Sequence, residues 1–344
     1  MASYQHQPPN QMYNRSTPHM SSSIPLGQNP LPPAPYGGYS PSLSPSSPPP
    51  SSPSPPSSLS TFLTSLGIKK PGHQSHLLTW STYLLLLLST LLLFSSYDFS
   101  VLLTFGSLTR TFSFIILLSH LLTTKSSDGI SLKTLHIYIL VYAFRLISLT
   151  LHHGYLPYDK TGDWLYHWVE VGGLAAAGGC AGMVVRRFKN TYNSSLDTFG
   201  NHPPTLPPHF GILYLIVPCL LMAVLVHPQL NSSFVSDTSW AFSMYLESVA
   251  VLPQLFMFQK SPSVSLGMGN TIIFMTLSRT MDGVFWINSY HELVTSSGST
   301  IPGIVCLGSQ VLHAVLLGDF VYYYAKAVGE GGAEMVLPTR ELMV

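Results

Sequence analysis

From residue 77 to residue 327 the chain is divided into mostly apolar stretches of the length a helix needs to cross a bilayer core, roughly 20 residues at about 1.5 Å each. Scanning for that length gives eight: 77-96, 101-123, 133-152, 164-185, 210-228, 239-258, 269-289 and 301-327. In lipid every backbone amide must find its partner within the chain, so these stretches predict helices. Charged residues are only 8 % of the chain, against about 25 % in soluble proteins. The reading is an all-α polytopic membrane protein, and the net charge of +1 points to no nucleic-acid partner.

Residues 1-68 are a Pro- and Ser-rich tail, with runs such as Ser46 to Pro56, and carry too little apolar surface to offset the entropy lost on ordering. No basic-apolar-cleavage pattern opens the chain, so targeting falls to a membrane span. Cys180, Cys219 and Cys306 are far apart within apolar stretches and lack metal-ligand spacing, which makes them packing residues. The small-residue run from Gly172 to Gly182 suits close helix approach. Basic residues stay on the cytosolic side of short loops. Eight spans place Lys69, Lys70, Lys125, Lys133, Arg186, Arg187, Lys189, Lys260, Lys326 and Arg340 on that side, leaving Lys160 opposite. The sequon at Asn231-Ser232-Ser233 then faces the lumen.

Three arginines, Arg110, Arg145 and Arg279, fall inside expected spans, where each costs about 2.5 to 3.5 kcal/mol on insertion scales and needs a partner. Candidate acids are Glu170, Glu247, Asp282 and Asp319, with Asp237 at the luminal end of the sixth stretch. Together they predict a polar cavity between helices, or pairs that hold the bundle together. An arginine fork away from bulk water grips a carboxylate with two parallel hydrogen bonds, so an anionic or C-terminal carboxylate ligand fits. His152, His153 and His291 lie at luminal ends of spans, whereas His120 and His313 are expected as solitary polar residues in helices. Pro253-Gln254 is expected to kink the sixth span.

The stretch from Trp240 to Met257, with its Tyr245-Leu-Glu247 and Leu252-Pro-Gln254, resembles the signature of the KDEL receptor (ER lumen protein-retaining receptor) family. Flanking matches are Asp128-Gly-Ile-Ser131, Phe144-Arg145, Phe188 to Tyr192, Asp197-Thr-Phe199, Ser278-Arg-Thr280, Trp286 and Gly318 to Tyr324, so the similarity spans about residues 101-328. The resemblance implies a seven-helix bundle at 101-328, built of two triple-helix repeats (PQ-loop/SWEET-like) and a linking helix. The 77-96 stretch would be an extra N-terminal transmembrane helix, and residues 329-344 a cytosolic tail. It also implies an ER retention-sequence receptor, multi-pass in the endoplasmic reticulum and Golgi membranes. Such a receptor binds C-terminal signal peptides of luminal proteins and returns them by retrograde vesicles, with the vesicle coat machinery as a further partner. By position the resemblance gives Arg145 to the ligand's carboxylate, Asp237 to the signal's basic residue and Trp240 to the cavity wall. Glu247, Arg279 and Trp286 become network and cavity residues, and Asp319 a buried acid of the last helix.

Departures accompany the matches. Arg110 stands where the family has its proton-sensing histidine, Ser148 where an acid meets the signal, and Asp282 replaces an aromatic residue. An arginine keeps its charge and cannot be that switch, which leaves Glu247 as the candidate sensor. Beside the receptor stand a small-solute PQ-loop/SWEET-like transporter and a scaffold acting through its Pro/Ser tail. No nucleophile motif, phosphate loop or metal-ligand cluster points to an enzyme or a cofactor.

Overall fold

The structure is a computed structural model describing residues 71-94, 101-151, 163-201, 207-332 and 334-337. The expected tail at 1-68, the turn at Asp98, the pair His152 and His153, Lys160 and Arg340 lie outside the described residues.

Helices follow the apolar stretches closely. They are α1 (Pro71–Phe94), α2 (Val101–Thr124), α3 (Leu132–Leu151), α4 (Asp163–Gly182), α5 (Leu213–Leu225), α6 (Phe234–Val249), α7 (Leu252–Phe258), α8 (Leu266–Asn288), α9 (Tyr290–Ser297) and α10 (Ile301–Gly329). Among the described residues, five segments are long and apolar enough to cross a membrane by length and composition: Val101–Thr124, Leu132–Leu151, Trp164–Arg187, Phe234–Phe258 and Ile301–Gly329. The chain is thus a polytopic all-α membrane protein.

The eight expected stretches are not equally apolar in their helices. The helical parts of the first and fifth shorten to His76–Leu92 and Phe210–Leu225 as apolar segments. α8 has the length of a span, yet Thr271, Ser278, Arg279 and Asp282 are all buried along it. Its polar residues recur at three- and four-residue spacing, so they share one face turned to the protein. A composition scan reads that face as lost hydropathy.

The sixth stretch is two helices. Proline cannot donate the amide hydrogen bond that a helix interior requires, and Pro253 sits in the first turn of α7 after a break at Ala250 and Val251. α4 runs into a π turn, Met183–Arg187. Two short elements lie beyond the sequence expectation: α9, ended by Gly298 at φ 61°, and a two-residue antiparallel pair of β1 (Val264–Ser265) with β2 (Glu334–Met335).

α2 packs along both α8 and α4, α3 along α6 and α4, α5 on α6, and α10 on α8 and α6. α6 is the innermost helix, buried all round from Ser236 to Ser248. The exposed side chains of α1 and α10 include Leu84, Leu85, Leu88, Val311 and Val315. Apolar residues on the outside and charges on the inside are the arrangement a lipid solvent selects.

α1 lies against α2 and α8. Tyr83 is buried there with Phe112 and Phe274, and its hydroxyl shares a 2.9 Å hydrogen bond with Thr109. His76 Nε2 lies 2.7 Å from the Tyr324 hydroxyl on α10.

Close approach elsewhere depends on one glycine of the small-residue run. A Cβ on Gly173 would overlap the Tyr142 ring, whereas one on Gly178 or Gly182 would meet nothing. The three cysteines are free thiols, two of them buried.

Candidate functional site

Each helix delivers its polar residues inward at helical spacing. α2 contributes Ser107 and Arg110, α3 Arg145, and α4 Glu170. α6 brings Trp240, Met244 and Glu247, and α8 brings Arg279, Asp282 and Trp286. Glu247 is the hub. Arg110 Nη1 donates to its Oε1 at 2.9 Å and Oε2 at 3.1 Å, Arg145 Nη2 donates to Oε2 at 2.7 Å, and Arg279 Nη1 stands 3.6 Å from Oε2.

Glu170 is the second acceptor. Its Oε1 takes Arg110 Nη2 at 2.6 Å and Ser107 Oγ at 3.1 Å, with Arg145 Nη1 at 3.6 Å. Asp282 lies 4.0 Å from Arg110. Three arginines and three carboxylates therefore neutralise one another formally inside the bundle. Such burial is tolerable only because each charge faces an opposite one.

The network is not fully satisfied. Nε and Nη2 of Arg279 are buried and make no hydrogen bond among the described residues. Arg279 also lines a cavity of about 10 Å³ with Arg145, Asp282, Ser107, Trp240 and Trp286, room for about one water. The two indoles meet edge to face, centroids 5.0 Å apart. A larger cavity of about 490 Å³ lies beside Asp128, Asn193 and Glu334. Its lining holds acids and hydroxyls but no arginine or lysine, so it offers little to a carboxylate.

Of the seven residues expected at the site, the structure brings together Arg145, Glu247 and Arg279 in the network, and Trp240 and Trp286 at the cavity. Asp237 is one turn before Trp240, and its carboxylate accepts from the Asn231 and Ser233 amides at 2.9 and 3.3 Å, tying down the loop that leads into α6. Asp319 is a correction: the resemblance implies a buried acid, but it lies on the exposed side of α10, outside the network. The cause is helical phase, since the buried positions Gln310, His313, Leu317, Phe320 and Tyr324 define the other side.

The seven-residue set omits Arg110, Glu170 and Asp282. Their signal was in the sequence, as ionisable residues within apolar stretches. His313, expected to be solitary, sits behind the network with Nδ1 3.1 Å from the Ser248 carbonyl.

The remaining motifs meet at one end of the bundle. Gln254 accepts from the Ser131 amide at 2.8 Å and donates to the Gly129 carbonyl at 2.6 Å. Ser131 Oγ donates to Asp197 Oδ1 at 3.0 Å, and the Tyr192 hydroxyl donates to Asp197 Oδ2 at 2.7 Å. Partial burial, then that bond and the carboxylate's charge, push the Tyr192 phenol above its ordinary value. These motifs brace loops against one another.

A multi-spanning helical protein with a buried, formally neutral charge cluster beside a small arginine- and tryptophan-lined cavity is, by class, a polytopic membrane protein. The family model described as ER lumen protein retaining receptor matches residues 126–289. ER lumen protein-retaining receptor A of Arabidopsis thaliana is 32 % identical over 221 residues, 64 % of this chain and 90 % of the relative. The Drosophila melanogaster ER lumen protein-retaining receptor is 30 % identical over 226 residues, 66 % of this chain and 93 % of the relative. That of Dictyostelium discoideum is 27 % identical over 236 residues, 68 % and 96 %. The chain belongs to the ER lumen protein retaining receptor family. Arg110, Asp319 and α1 fall outside the matched 126–289 segment.

Proposed function

We propose that the chain is an ER retention-sequence receptor that binds the C-terminal signals of luminal proteins in the Golgi and returns them to the ER. The observation that carries this reading is Arg279 at the cavity that Arg145 also lines, with the Nε and Nη2 groups of Arg279 left over for a carboxylate. Membership in a family named for retaining luminal proteins supplies the ligand class. Arg145 and Arg279 take the terminal carboxylate, Trp240 and Trp286 wall the cavity, and Glu247 holds the arginines in register. Asp237 supports the loop at the cavity's end. The cavity as described is too small for a peptide, so binding selects a more open arrangement.

The receptor domain is the seven-helix unit of residues 101-328, two triple-helix repeats of the PQ-loop/SWEET kind. Helix pairing supports this: α4 packs on both α2 and α3, and α10 on both α6 and α8, with α5 as the linking helix and α1 as the addition. The Pro/Ser tail and residues 329-344 face the cytosol, where vesicle coat machinery operates.

The test is binding of peptides ending in Lys-Asp-Glu-Leu, His-Asp-Glu-Leu or a scrambled tail to the purified full chain, at about pH 5.5 and about pH 7.4. The expected result is tail-dependent binding that Arg279→Gln weakens by at least about tenfold, roughly 1.4 kcal/mol. Binding of none of these tails at either pH overturns the retrieval reading for them.

A further inference from the structure

The π turn that ends α4 is closed by the Phe188 amide, which donates to the Met183 carbonyl at 2.9 Å. Phe188 is buried, whereas Val185, Arg186, Arg187 and Lys189 around it are exposed. The widened turn lets three consecutive residues face outward just ahead of a buried aromatic. The Arg187 guanidinium lies over the Phe188 ring, 5.7 Å from its centroid.

A second helix end meets this one. Ser127 Oγ donates to the Phe188 carbonyl at 2.8 Å, and the Ser127 amide donates to Thr191 Oγ1 at 2.9 Å. These bonds fasten the chain just after α2 to the chain just after α4, and they bring exposed Lys125 to the same place. Lys125 has φ 53°, a left-handed conformation that favours glycine, so a charged side chain stands where backbone preference alone would not put one.

Lys125, Arg186, Arg187 and Lys189 have no acid within ion-pair distance among the described residues. The carbonyl ends of α2 and α4 answer part of this charge. Each helix C-terminus is equivalent to roughly half a negative charge, so the two ends offset about one cation and leave about three uncompensated. The spans Val101–Thr124 and Trp164–Arg187 both end here. The cations therefore stand at the depth of lipid headgroups, on the side that the lysine and arginine pattern assigns to the cytosol.

We propose that this junction of α2 and α4 is a binding site for an anionic lipid of the cytosolic leaflet whose headgroup carries phosphate monoester groups, in chemical class a phosphorylated inositol lipid. Guanidinium forks fit phosphate oxygens. A headgroup with several negative charges matches the free cations, whereas a singly charged one such as phosphatidylserine leaves most of them unanswered. The bonds of Ser127 fix the two helix ends together, so the four cations act as one group. Two other lysines at this end of the bundle are placed apart from it. Lys260 Nζ donates to Thr198 Oγ1 and lies over the Phe256 ring, and Lys326 is in the last turn of α10, which packs on α8 and α6.

The experiment uses the full chain in detergent, with native mass spectrometry counting bound short-chain phosphatidylinositol phosphate, phosphatidylserine or phosphatidylcholine. Phosphatidylinositol phosphate should bind saturably and about tenfold or more tighter than either of the others. Each cation removed should weaken it about fivefold. Lys125→Gln should show that loss, and Arg186→Gln combined with Arg187→Gln about twentyfold or more. Lys326→Gln should change binding by less than about twofold. Lys125→Gln, at an exposed position outside the helices, serves if the double variant fails to fold.

Equal weakening by Lys326→Gln overturns the inference, because the charge would then act diffusely over the whole face. So does phosphatidylserine or phosphatidylcholine binding as tightly as the phosphorylated lipid, or full binding retained by the double variant. The free inositol phosphate headgroup is the last arm. Binding of it as tight as that of the lipid would make the junction a soluble-phosphate site and overturn the assignment to the membrane.

Discussion

Arg110 on α2 straddles the carboxylate of Glu247 on α6, at 2.9 Å from Oε1 and 3.1 Å from Oε2, while its second amino group reaches Glu170 on α4 at 2.6 Å. One planar fork thus joins three helices. Removing one member of a buried ion network leaves its partners charged and uncompensated, at a cost of about 3–5 kcal/mol. Arg110→Ala should therefore lower the melting temperature of the detergent-solubilised protein sharply. Arg110→Lys should recover only part of the loss, because a compact ammonium cannot serve two carboxylates in fork geometry. Full recovery by lysine would show that charge alone, without the fork, holds these helices.

Gln254 ties α7 to the loop before α3 through two hydrogen bonds, to the Ser131 amide and the Gly129 carbonyl. Gln254→Leu leaves both groups without that partner, a loss of about 1–3 kcal/mol. Hydrogen exchange should speed up locally over residues 127-131 and leave the centre of α6 unchanged. Uniform acceleration along the chain would mean that this end of the bundle does not open separately.

The helices were legible because lipid makes a strict demand: an apolar run of span length has few alternatives to a helix. The ends of α2 and α3 follow from that alone. Pairing was less legible, since Arg110 could be seen to need an acid but Glu170, Glu247, Asp282 and Asp319 were equally eligible on sequence. Their selection depends on helical phase against neighbours distant in sequence, which turned Asp319 outward and Glu170 inward. The Pro253-Gln254 pair, taken locally, predicts a kink. Its glutamine works across space as a clamp on a distant loop, which no local pattern announces.

Tyr192 and Asp197 provide a test by pH outside the spans. Burial and the bond to Asp197 raise the phenol's folded value above its unfolded one. The stabilisation is thus fully present below about pH 10, the unfolded value, and is lost as pH rises beyond it. Loop protection at 188-201 should fall on moving above about pH 10 in the wild type, and Tyr192→Phe should remove that component. The same alkaline loss in the phenylalanine variant would assign it to another group.

Gly173 is separated from the Tyr142 ring by less space than a methyl group needs. Overpacking of this kind costs about 1–3 kcal/mol, so Gly173→Ala should destabilise the protein while Gly178→Ala, with open space around it, should not. Tyr142→Leu in the Gly173→Ala background should return part of the loss if ring overlap is the cause. Equal effects of the two alanines would point instead to backbone preference within α4.

Tyr83 fastens α1, the helix that precedes the segment matched by the family model, to the rest of the protein. It is 2 % exposed, packs with Phe112 and Phe274, and bonds Thr109. Truncating a buried aromatic costs about 3–5 kcal/mol, more than a single helix edge with few other buried residues can replace. Tyr83→Ala should loosen α1 while leaving the α2–α8 packing in place, because the apolar faces of α2 and α8 remain joined along their length. Paired cysteines at Leu87 and Leu277, both packed on this cluster, provide the readout: crosslinking should be efficient in the parent and strongly reduced by Tyr83→Ala, with the melting temperature of the bundle lowered far less. Unchanged crosslinking would mean that α1 is held by lipid and helix length instead of by this aromatic contact.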